Sequence, residues 1–410
     1  MKLSRRALAM APALVVLAAA CTPAAPATQP PTTQAPTTQA PGTQPPAATG
    51  TPTAGGECIV GVSWNNFQQP RWAAHDEPGI RDTVEAAGGQ YIQADANLSN
   101  EQQITDVETL ISRGANVLVL LAQDTQAILP AVARAHQEGI PVIAYDRLIE
   151  DPDVLYITFD NVAVGRAQAE AILAAVPEGN YVLIKGDPGD PNAHTFLPQG
   201  WDEAGLKDKV DAGDITILNM SGDSWPDEAG TYTDAWATET AQDNMEAIID
   251  RAVADGNQID AILAENDSTA IGVVGALTAK SYGYPPLSGQ DGDPANLNNV
   301  ALGRQYVDVW KNARELGKAA GAAALALCEG QDMASLTMAE GLVDPRVAPD
   351  SLTAQDFVTP GDNTVKSFIL KPTPITQENL QLVLDGGWVT KEQLCAGVDT
   401  SAADAPEACQ

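Results

Sequence analysis

Residues 117–145 read VLVLLAQDTQAILPAVARAHQEGIPVIAY, with an apolar run on each side of a segment of helical periodicity. The runs Val117–Leu121 and Val142–Tyr145 have the length and composition of buried strands, and Gln126–Glu138 has the length of a helix. Strands that alternate with helices in this way are predicted to be parallel, because parallel strands need long crossover connections. This stretch therefore predicts part of a parallel sheet in an α/β fold.

The same alternation of strands and helices continues on both sides of this stretch. Further candidate strands are Ile59–Ser63, Tyr91–Ala94, Tyr156–Phe159, Tyr181–Lys185, Ile215–Met220, Ala261–Ala264 and Val300–Tyr306. Further candidate helices are Glu101–Arg113, which Ser99 and Gln102 open as a capping box, Ala163–Val176, Thr238–Ala254 and Ala313–Cys328. So many strands over about 350 residues exceed one compact core, and the sequence predicts two doubly wound, Rossmann-like lobes.

The N-terminal segment has the pattern of a secretory signal peptide. A basic start at Lys2, Arg5 and Arg6 precedes the apolar run Ala7–Ala20, which is shorter than the about 20 residues that span a bilayer. Small residues lead into Cys21 as in a bacterial lipobox, so residues 1–20 are predicted to be removed and Cys21 to be lipidated. The alternative is an ordinary signal peptide that is cleaved near the same point.

Residues 22–56 are predicted to be a disordered tether. They contain no charged residue, ten threonines and nine prolines, with repeated Thr-Gln-Ala-Pro units. Such a composition cannot bury enough apolar surface to fold. Together with a lipidated Cys21, the tether would hold a globular protein away from the outer face of a membrane; an O-glycosylated stalk would do the same.

The net charge excludes some classes of partner. The chain has 410 residues and a formal net charge of −32, and the signal peptide contains basic but no acidic residues. An acidic protein lacks the basic surface that nucleic acids or anionic membranes require, so no nucleic-acid partner is expected. With three histidines and no Walker A, Gly-x-Gly-x-x-Gly or His-Glu-x-x-His motif, the sequence predicts neither a metal site nor a cofactor.

Polar residues follow the candidate strands at seven places, where ligands of doubly wound sheets bind. These are 63–66, 122–124, 145–147, 159–161, 186–188, 265–267 and 290–291. Their Asp, Asn, Arg and Gln side chains suit a small neutral polyhydroxylated ligand, because each hydroxyl both donates and accepts. Trp64, Trp72 and Trp236 could lie flat on the C–H face of a sugar ring. The alternative for each polar residue is a helix cap or turn, and for each tryptophan a place in the core.

Several of these segments match a known family in order. The matching motifs are 144–147, 157–161, 164–165, 176–181, 265–270 and 288–293, with Arg71-Trp72 after the first strand and 385–388 near the end. From about residue 57 to 395 the chain resembles the periplasmic sugar-binding proteins of ABC importers, and among them the D-xylose-binding members. The resemblance implies a type I periplasmic-binding-protein fold, in which a three-stranded hinge joins two lobes that close around one sugar.

The resemblance also implies domain boundaries and ligand-binding residues. The expected parts are an N-terminal lobe at 57–160, a C-terminal lobe at 161–295, a return to the N-terminal lobe at 296–350, and a hinge strand with the C-terminal segment at 351–410. The residues carried over by motif are Arg71, Trp72, Asp146, Arg147, Asn192, Trp236, Asn266, Asp291 and Lys311. Departures from the family pattern are Pro191, an insertion-like segment at 330–365, and a longer segment at 221–236 that makes Trp225 an alternative to Trp236.

Four cysteines follow Cys21, and an even number in an exported chain favours two disulfides over free thiols. Three pairings are possible from the count alone. In the fold that the resemblance implies, Cys58 and Cys328 fall in the same lobe, so the expected pairs are Cys58–Cys328 and Cys395–Cys409.

The expected function is that of a monomeric, lipid-anchored binding protein outside the cytoplasm, on the outer face of the cytoplasmic membrane or in the periplasm. It would bind a monosaccharide, D-xylose first, and deliver it to an ABC permease without chemistry. One alternative is a sensor that presents the sugar to a membrane receptor. The other is an exported hydrolase, which needs two carboxylates about 5–9.5 Å apart, with Asp146, Asp160 and Asp291 as candidates.

Overall fold

The structure is a computed structural model that describes residues 58–67, 69–403 and 405–410. The predicted signal peptide, the lipidated Cys21 and the tether lie outside the described residues. Among the residues that are described, no helix has the length and apolar character needed to span a bilayer.

Thirteen strands and twelve α-helices alternate along the described residues. The strands are β1 (Ile59–Trp64), β2 (Gln90–Asp95), β3 (Val117–Leu120), β4 (Val142–Tyr145), β5 (Val154–Phe159), β6 (Gly179–Ile184), β7 (Ile215–Ile217), β8 (Ala261–Ala264), β9 (Ser288–Gln290), β10 (Val307–Trp310), β11 (Gln355–Val358), β12 (Thr364–Leu370) and β13 (Thr373–Ile375). The helices are α1 (Glu77–Ala86), α2 (Asn100–Ser112), α3 (Leu129–Gln137), α4 (Asn161–Ala175), α5 (Leu197–Glu203), α6 (Leu206–Ala212), α7 (Thr238–Ala254), α8 (Asp267–Lys280), α9 (Pro294–Ala301), α10 (Ala313–Cys328), α11 (Gln381–Asp385) and α12 (Lys391–Leu394).

A seven-stranded sheet in the order β11-β12-β5-β4-β3-β1-β2 forms the N-terminal lobe. All of its pairs are parallel except β11 with β12. Side chains alternate between the two faces of a strand, so Val117 and Val119 pack with α1 and α10, whereas Leu118 and Leu120 pack with α2 and α3. Burial on both faces explains why β3 is apolar at every position.

The C-terminal lobe contains two three-stranded groups, β7-β6-β8 and β9-β10-β13. A parallel bridge between Ile262 and Leu287 connects the first group to the second. Only β13 runs antiparallel. Helices α4 and α5 cover one face of β6 and β8 through Tyr181 and Leu263, and α7 and α8 cover the other.

The chain passes between the two lobes three times, from β5 to α4, from β10 to α10 and from β12 to β13. Two doubly wound lobes with three connections are the architecture that the sequence predicts. The return to the N-terminal lobe comes later than the expected residue 296, because β10 still pairs with β9 and α10 is the first element to pack against the N-terminal sheet. The predicted strand Val300–Tyr306 is wrong: Val300 and Ala301 end α9, and the strand begins at Val307.

Two disulfides are present, with the expected pairing. Cys58, just before β1, is bonded to Cys328 at the end of α10, and Cys395 is bonded to Cys409. The first bond joins two elements of the N-terminal lobe across 270 residues of chain, and the second closes a short loop at the C-terminus.

Candidate functional site

A small cavity lies at the carboxyl ends of strands from both lobes. All nine side chains that the sequence predicts to bind ligand line it. The other lining residues are Gln69, Asp190 and Gln290.

Arg71 is the centre of the charged network on the N-terminal side. It lies at the start of the helical turn Trp72–Asp76, which precedes α1. Its guanidinium donates to Asp76 at 2.9 and 3.1 Å, to Asp146 at 3.1 Å and to Asp291 at 2.8 Å. Burial lowers the pKa of Arg71, but the three carboxylates outweigh burial and raise it well above its ordinary value. Arg71 is therefore a fixed cation that joins the two lobes through Asp291.

Asp76, which the sequence analysis did not single out, supports Arg71 from behind. It is fully buried and accepts a hydrogen bond from the Tyr145 hydroxyl at 2.7 Å in addition to those from Arg71. Burial raises the pKa of Asp76 to about 6, against the lowering effect of Arg71 and Tyr145. Trp72 lies beside this group, with the Arg71 guanidinium carbon 4.2 Å from its ring centre.

Asp146 and Arg147 follow β4 directly. Asp146 has a φ of 62°, a left-handed conformation that few non-glycine residues adopt, and the Thr158 hydroxyl donates to its carbonyl at 2.8 Å. Burial would raise the pKa of Asp146, but Arg71, Lys311 and Arg147 lower it below the ordinary value. Arg147 Nε lies 2.8 Å from Asp190 Oδ2, an ion pair that also crosses from one lobe to the other.

Lys311 lies where the chain passes from β10 to α10. Its ammonium nitrogen is 3.8 Å from Asp146 Oδ1 and 3.9 Å from Asp291 Oδ1, and its side chain is only 2% exposed. Two carboxylates from different lobes therefore face the same two cations, Arg71 and Lys311. Such an arrangement offers a sugar hydroxyl charged acceptors and charged donors side by side.

The C-terminal side contributes Asn192, Trp236 and Asn266. Asn266 is the N-cap of α8, with its Oδ1 accepting from Thr269 N at 2.9 Å, so the helix-cap interpretation applies to it as well. The Trp236 ring packs against the backbone of Gly186, where an added Cβ would lie 2.1 Å from the ring. Only glycine leaves room for this ring, which fixes where Trp236 meets the cavity.

Several buried polar atoms around the cavity have no hydrogen-bond partner among the described residues. They are Gln69 Nε2, Trp72 Nε1, Asn192 Oδ1, Trp236 Nε1 and Gln290 Oε1. Buried polar groups in folded proteins are almost always hydrogen-bonded. These donors and acceptors are therefore suited to a polar ligand in the cavity.

Three residues named from the sequence lie elsewhere. Trp64 is buried beside Tyr145 in the N-terminal core, and its indole N–H donates to Tyr91 and Gln93. Trp225 donates to Asp202 away from the cavity, so Trp236 and not Trp225 lines it. Asp160 caps α4 by accepting from Ala163 N at 2.8 Å.

The three lining residues that the sequence analysis did not assign have weak signals. Gln290 was noted only as part of the polar cluster 290–291 at the end of a strand. Asp190 lies in a turn-like Gly-Asp-Pro-Gly-Asp-Pro segment, and its ion pair with Arg147 is not predictable from that pattern. Gln69 lies in the loop before Arg71, with no motif around it.

Comparison with known proteins places the chain in a family. Residues 60–332 match the family described as "Periplasmic binding protein domain". The chain belongs to this family. The D-xylose-binding periplasmic protein of Escherichia coli (strain K12) is 36% identical over 318 residues, which is 77% of this chain and 90% of that protein. The multiple sugar-binding periplasmic receptor ChvE of Rhizobium radiobacter is 30% identical over 351 residues, or 82% of this chain and 92% of that protein.

Solved structures support the same assignment. An ABC transporter solute-binding protein from Clostridium phytofermentans with bound β-D-glucose has a TM-score of 0.71 and 32% identity, and covers 82% of this chain and 99% of its own. A carbohydrate transporter solute-binding protein from Chloroflexus aurantiacus in complex with D-glucose has the same TM-score and coverage of this chain, at 28% identity. The expected type I periplasmic-binding-protein fold is confirmed.

Proposed function

We propose that this protein is a sugar receptor that binds one monosaccharide, with D-xylose as first choice, in the cavity between the lobes and delivers it to an ABC permease. The observation that carries the proposal is the convergence of all nine predicted residues on one cavity between the lobes. Charged hydrogen bonds from Arg71, Asp146 and Asp291 would fix the hydroxyls, because such bonds are stronger than neutral ones.

Selectivity follows from the burial of the cavity. A sugar that lacks one hydroxyl would leave a buried donor or acceptor such as Asn192 Oδ1 without a partner, which costs about 1–3 kcal/mol. The indole rings of Trp72 and Trp236 would cover the apolar faces of the ring. The ion pairs that cross between the lobes suit a protein that closes around its ligand by a hinge motion.

D-xylose is preferred over D-glucose on the basis of the relatives. Two of the most similar are D-xylose-binding periplasmic proteins, of Escherichia coli at 36% identity and of Haemophilus influenzae at 30%. D-glucose is the second candidate, because the two solved structures described above contain it. The two sugars differ by one hydroxymethyl group, so a direct comparison of their affinities decides between them.

Binding without turnover is the better account of the carboxylates. Asp146 and Asp291 each contact Arg71, and the pKa of Asp146 is lowered, so Asp146 is a poor proton donor for glycoside cleavage. Asp160, the third candidate for a hydrolase, is engaged as a helix cap. Neither Asp146 nor Asp160 is therefore placed to act as the general acid of a glycoside hydrolase.

Anchoring through a lipidated Cys21, the monomeric state and delivery to a permease remain predictions from the sequence and the family. A sensor role is the alternative for the last of these, since one similar protein is described as a receptor. Uptake of labelled sugar by cells with and without the protein separates transport from sensing. Loss of uptake in its absence supports delivery, whereas normal uptake favours the sensor.

A thermal-shift panel of D-xylose, D-glucose, D-ribose, L-arabinose and xylitol tests the proposed function. A protein that binds a sugar only when folded gains stability, and the gain at a fixed sugar concentration increases as the logarithm of the affinity. We expect the largest gain with D-xylose and none with Asp291→Ala, because this variant removes a charged acceptor that lines the cavity and joins Arg71 to the C-terminal lobe. Asp350→Ala, at an exposed position, is the matched control and should keep the gain. The sugar assignment is wrong if no monosaccharide raises the melting temperature.

A further inference from the structure

Two buried carboxylates lie behind Asp291, outside the residues that line the cavity. Asp267 is the first residue of α8 and Asp308 lies within β10, and both are fully buried. Buried carboxylates are rare unless they are paired or protonated. The function of this pair is not explained by contact with a ligand, because neither side chain reaches the cavity.

Each of the two carboxylates holds the backbone of the turn that presents Asp291. Asp308 Oδ1 accepts from Gly292 N at 3.2 Å, and Asp267 Oδ2 accepts from Asp293 N at 2.7 Å. The turn needs such support because Asp291 has a φ of 107°, a conformation that is unfavourable for any residue with a side chain. The two acceptors therefore fix the two residues that follow Asp291, and with them the direction of its carboxylate toward Arg71.

Asp267 is closely packed against its neighbours. A Cβ added to Gly289, two residues before Asp291, would lie 2.5 Å from Asp267 Oδ1 and from Gln305 Nε2. Asn296 donates to the backbone carbonyl of Asp267 at 3.2 Å and to Gln305 at 3.0 Å. The carboxylate thus lies directly against the backbone of β9.

No cation neutralises the pair within the described residues. The charged groups that face it are Asp291 and Asp293 on the β9–α9 loop, both acidic. Arg71 and Lys311 contact Asp291 instead, and Asp76 lies behind Arg71. The remaining neighbours, Asn296 and Gln305, are neutral amides.

Asp308 and Asp267 accept from the amides of two consecutive residues, Gly292 and Asp293, so their carboxyl groups lie close together. Their second oxygens, Asp267 Oδ1 and Asp308 Oδ2, are buried and receive no donor from any described residue. An ionised carboxylate only accepts, so a bond between two carboxyl groups requires that one of them carries a proton. Burial raises the pKa of both groups well above the ordinary value; the charge of Asp308 adds to this for Asp267, and the charges of Asp291 and Asp293 add to it for both.

We propose that Asp267 and Asp308 share one proton and act as positioning residues for Asp291, so that loss of the proton loosens the turn and weakens ligand binding. The proposal rests on the proposed sugar-binding function for its effect on affinity. With the proton present, one negative charge is spread over two groups that both hold the turn. Without it, two adjacent buried anions repel each other and Asp291 loses its fixed direction.

The test compares Asp308→Asn with Asp308→Ala by titration calorimetry with D-xylose over a range from mildly acidic to alkaline pH. An asparagine at this position accepts from Gly292 N and donates to Asp267, as the protonated acid does. We expect Asp308→Ala to lose about tenfold or more in affinity, the effect of one lost buried hydrogen bond. Asp308→Asn should bind D-xylose at neutral pH about as tightly as the unchanged protein. We expect the affinity of the unchanged protein to decline as the pH rises, and this decline should be absent in Asp308→Asn.

Asp293→Asn is the control within the same acidic group. Burial raises the pKa of Asp293 to about 7, but its side chain does not hold the Gly292 or Asp293 amide, so this variant should keep the alkaline decline. If Asp293→Asn removes the decline and Asp308→Asn does not, the titrating proton belongs to Asp293 and the proposal is overturned. It is also overturned if Asp308→Asn binds as weakly as Asp308→Ala.

A measurement without sugar separates this proposal from the proposed function. A group that binds its proton more tightly in the folded state makes the protein less stable as the pH rises from the ordinary Asp range near ~4 through the raised pKa. Urea unfolding of the ligand-free protein should therefore show a steeper fall in stability with pH for the unchanged protein than for Asp308→Asn. Parallel profiles would contradict the shared proton, whether or not any sugar binds.

Discussion

At the scale of single residues, Arg71 is the group on which the site most depends. It pairs with Asp76, Asp146 and Asp291, and all four side chains are buried. Removing one partner of a buried ion pair typically costs about 3–5 kcal/mol, because a charge remains in a poorly solvated place. Arg71→Met leaves three such carboxylates around one space, so both stability and binding should suffer.

We therefore expect urea unfolding to show that Arg71→Met lowers the free energy of unfolding by about 3–5 kcal/mol at neutral pH. The variant should also show no measurable sugar binding. In the unchanged protein the pKa of Asp146 is lowered, so its stabilising contribution is present above the ordinary Asp range and is lost as the pH falls. The difference in the free energy of unfolding between the two proteins should consequently shrink on acidification. Arg81→Met, at a partly exposed ion pair with Glu77, should change stability by no more than about 1 kcal/mol.

At the level of residues, the family motifs were the most informative part of the sequence. The nine residues predicted to bind ligand came from the family resemblance, and all of them line one cavity in the structure. Asp76, Asp190 and Asp267 contact Tyr145, Arg147 and the Asp293 amide, which are far away in sequence, and no local pattern indicates such contacts. Their functions therefore became visible only when the fold was known.

At the scale of elements, the loop after β6 positions Trp236. Gly186 lies against the indole ring, and the loop is held by Thr233 N donating to the Gly186 carbonyl and Ala235 N donating to Asp187. Trp236 itself has a φ of 56°, so the segment keeps its shape only through these contacts. A small change at Gly186 should therefore affect binding more than folding.

Gly186→Ala is expected to displace the Trp236 ring, since the new methyl group would lie 2.1 Å from it. D-xylose affinity should fall about tenfold or more, the order of effect of losing an aromatic contact together with its buried area. Gly189→Ala in the same loop, where the nearest atom would be a side-chain oxygen of Asp187 at 3.1 Å, is the matched control. Equal affinities for the two variants would show that Trp236 does not cover the sugar.

Strands were predictable from sequence where burial on both faces makes them uniformly apolar, as in β3 and β4. β9 was missed because its sequence, Ser-Gly-Gln, has no apolar residue, and buried hydrogen bonds such as that from the Ser288 hydroxyl to the Ala264 carbonyl take the place of apolar packing. Val300–Tyr306 was predicted to be a strand because of its apolar residues. Val300 and Ala301 are in fact the last residues of α9, and a short apolar run does not distinguish the end of a helix from a strand.

At the scale of the whole molecule, the two disulfides should contribute differently. Cys58–Cys328 closes 270 residues of chain, whereas Cys395–Cys409 closes 14. A cross-link stabilises mainly by restricting the unfolded chain, and its contribution grows with the length of the loop, from about 3 kcal/mol for a short loop to about 5 for a long one.

Replacing Cys58 and Cys328 by serine should therefore lower the melting temperature more than replacing Cys395 and Cys409. Sugar affinity should be little changed, because neither cysteine lines the cavity and Cys328 lies at the opposite end of α10 from Lys311, which does. Thermal unfolding with and without D-xylose measures both quantities. A smaller effect for the longer loop would contradict the loop-length account.

The central claim is that one monosaccharide binds between the lobes and is not chemically changed. Titration calorimetry of the purified protein with D-xylose, followed by recovery of the sugar, measures this most directly. We predict saturable binding of one sugar per chain, intact D-xylose on recovery, and no binding heat for Asp291→Ala. A titration with no heat for D-xylose or D-glucose, or the recovery of altered sugar, would contradict the account.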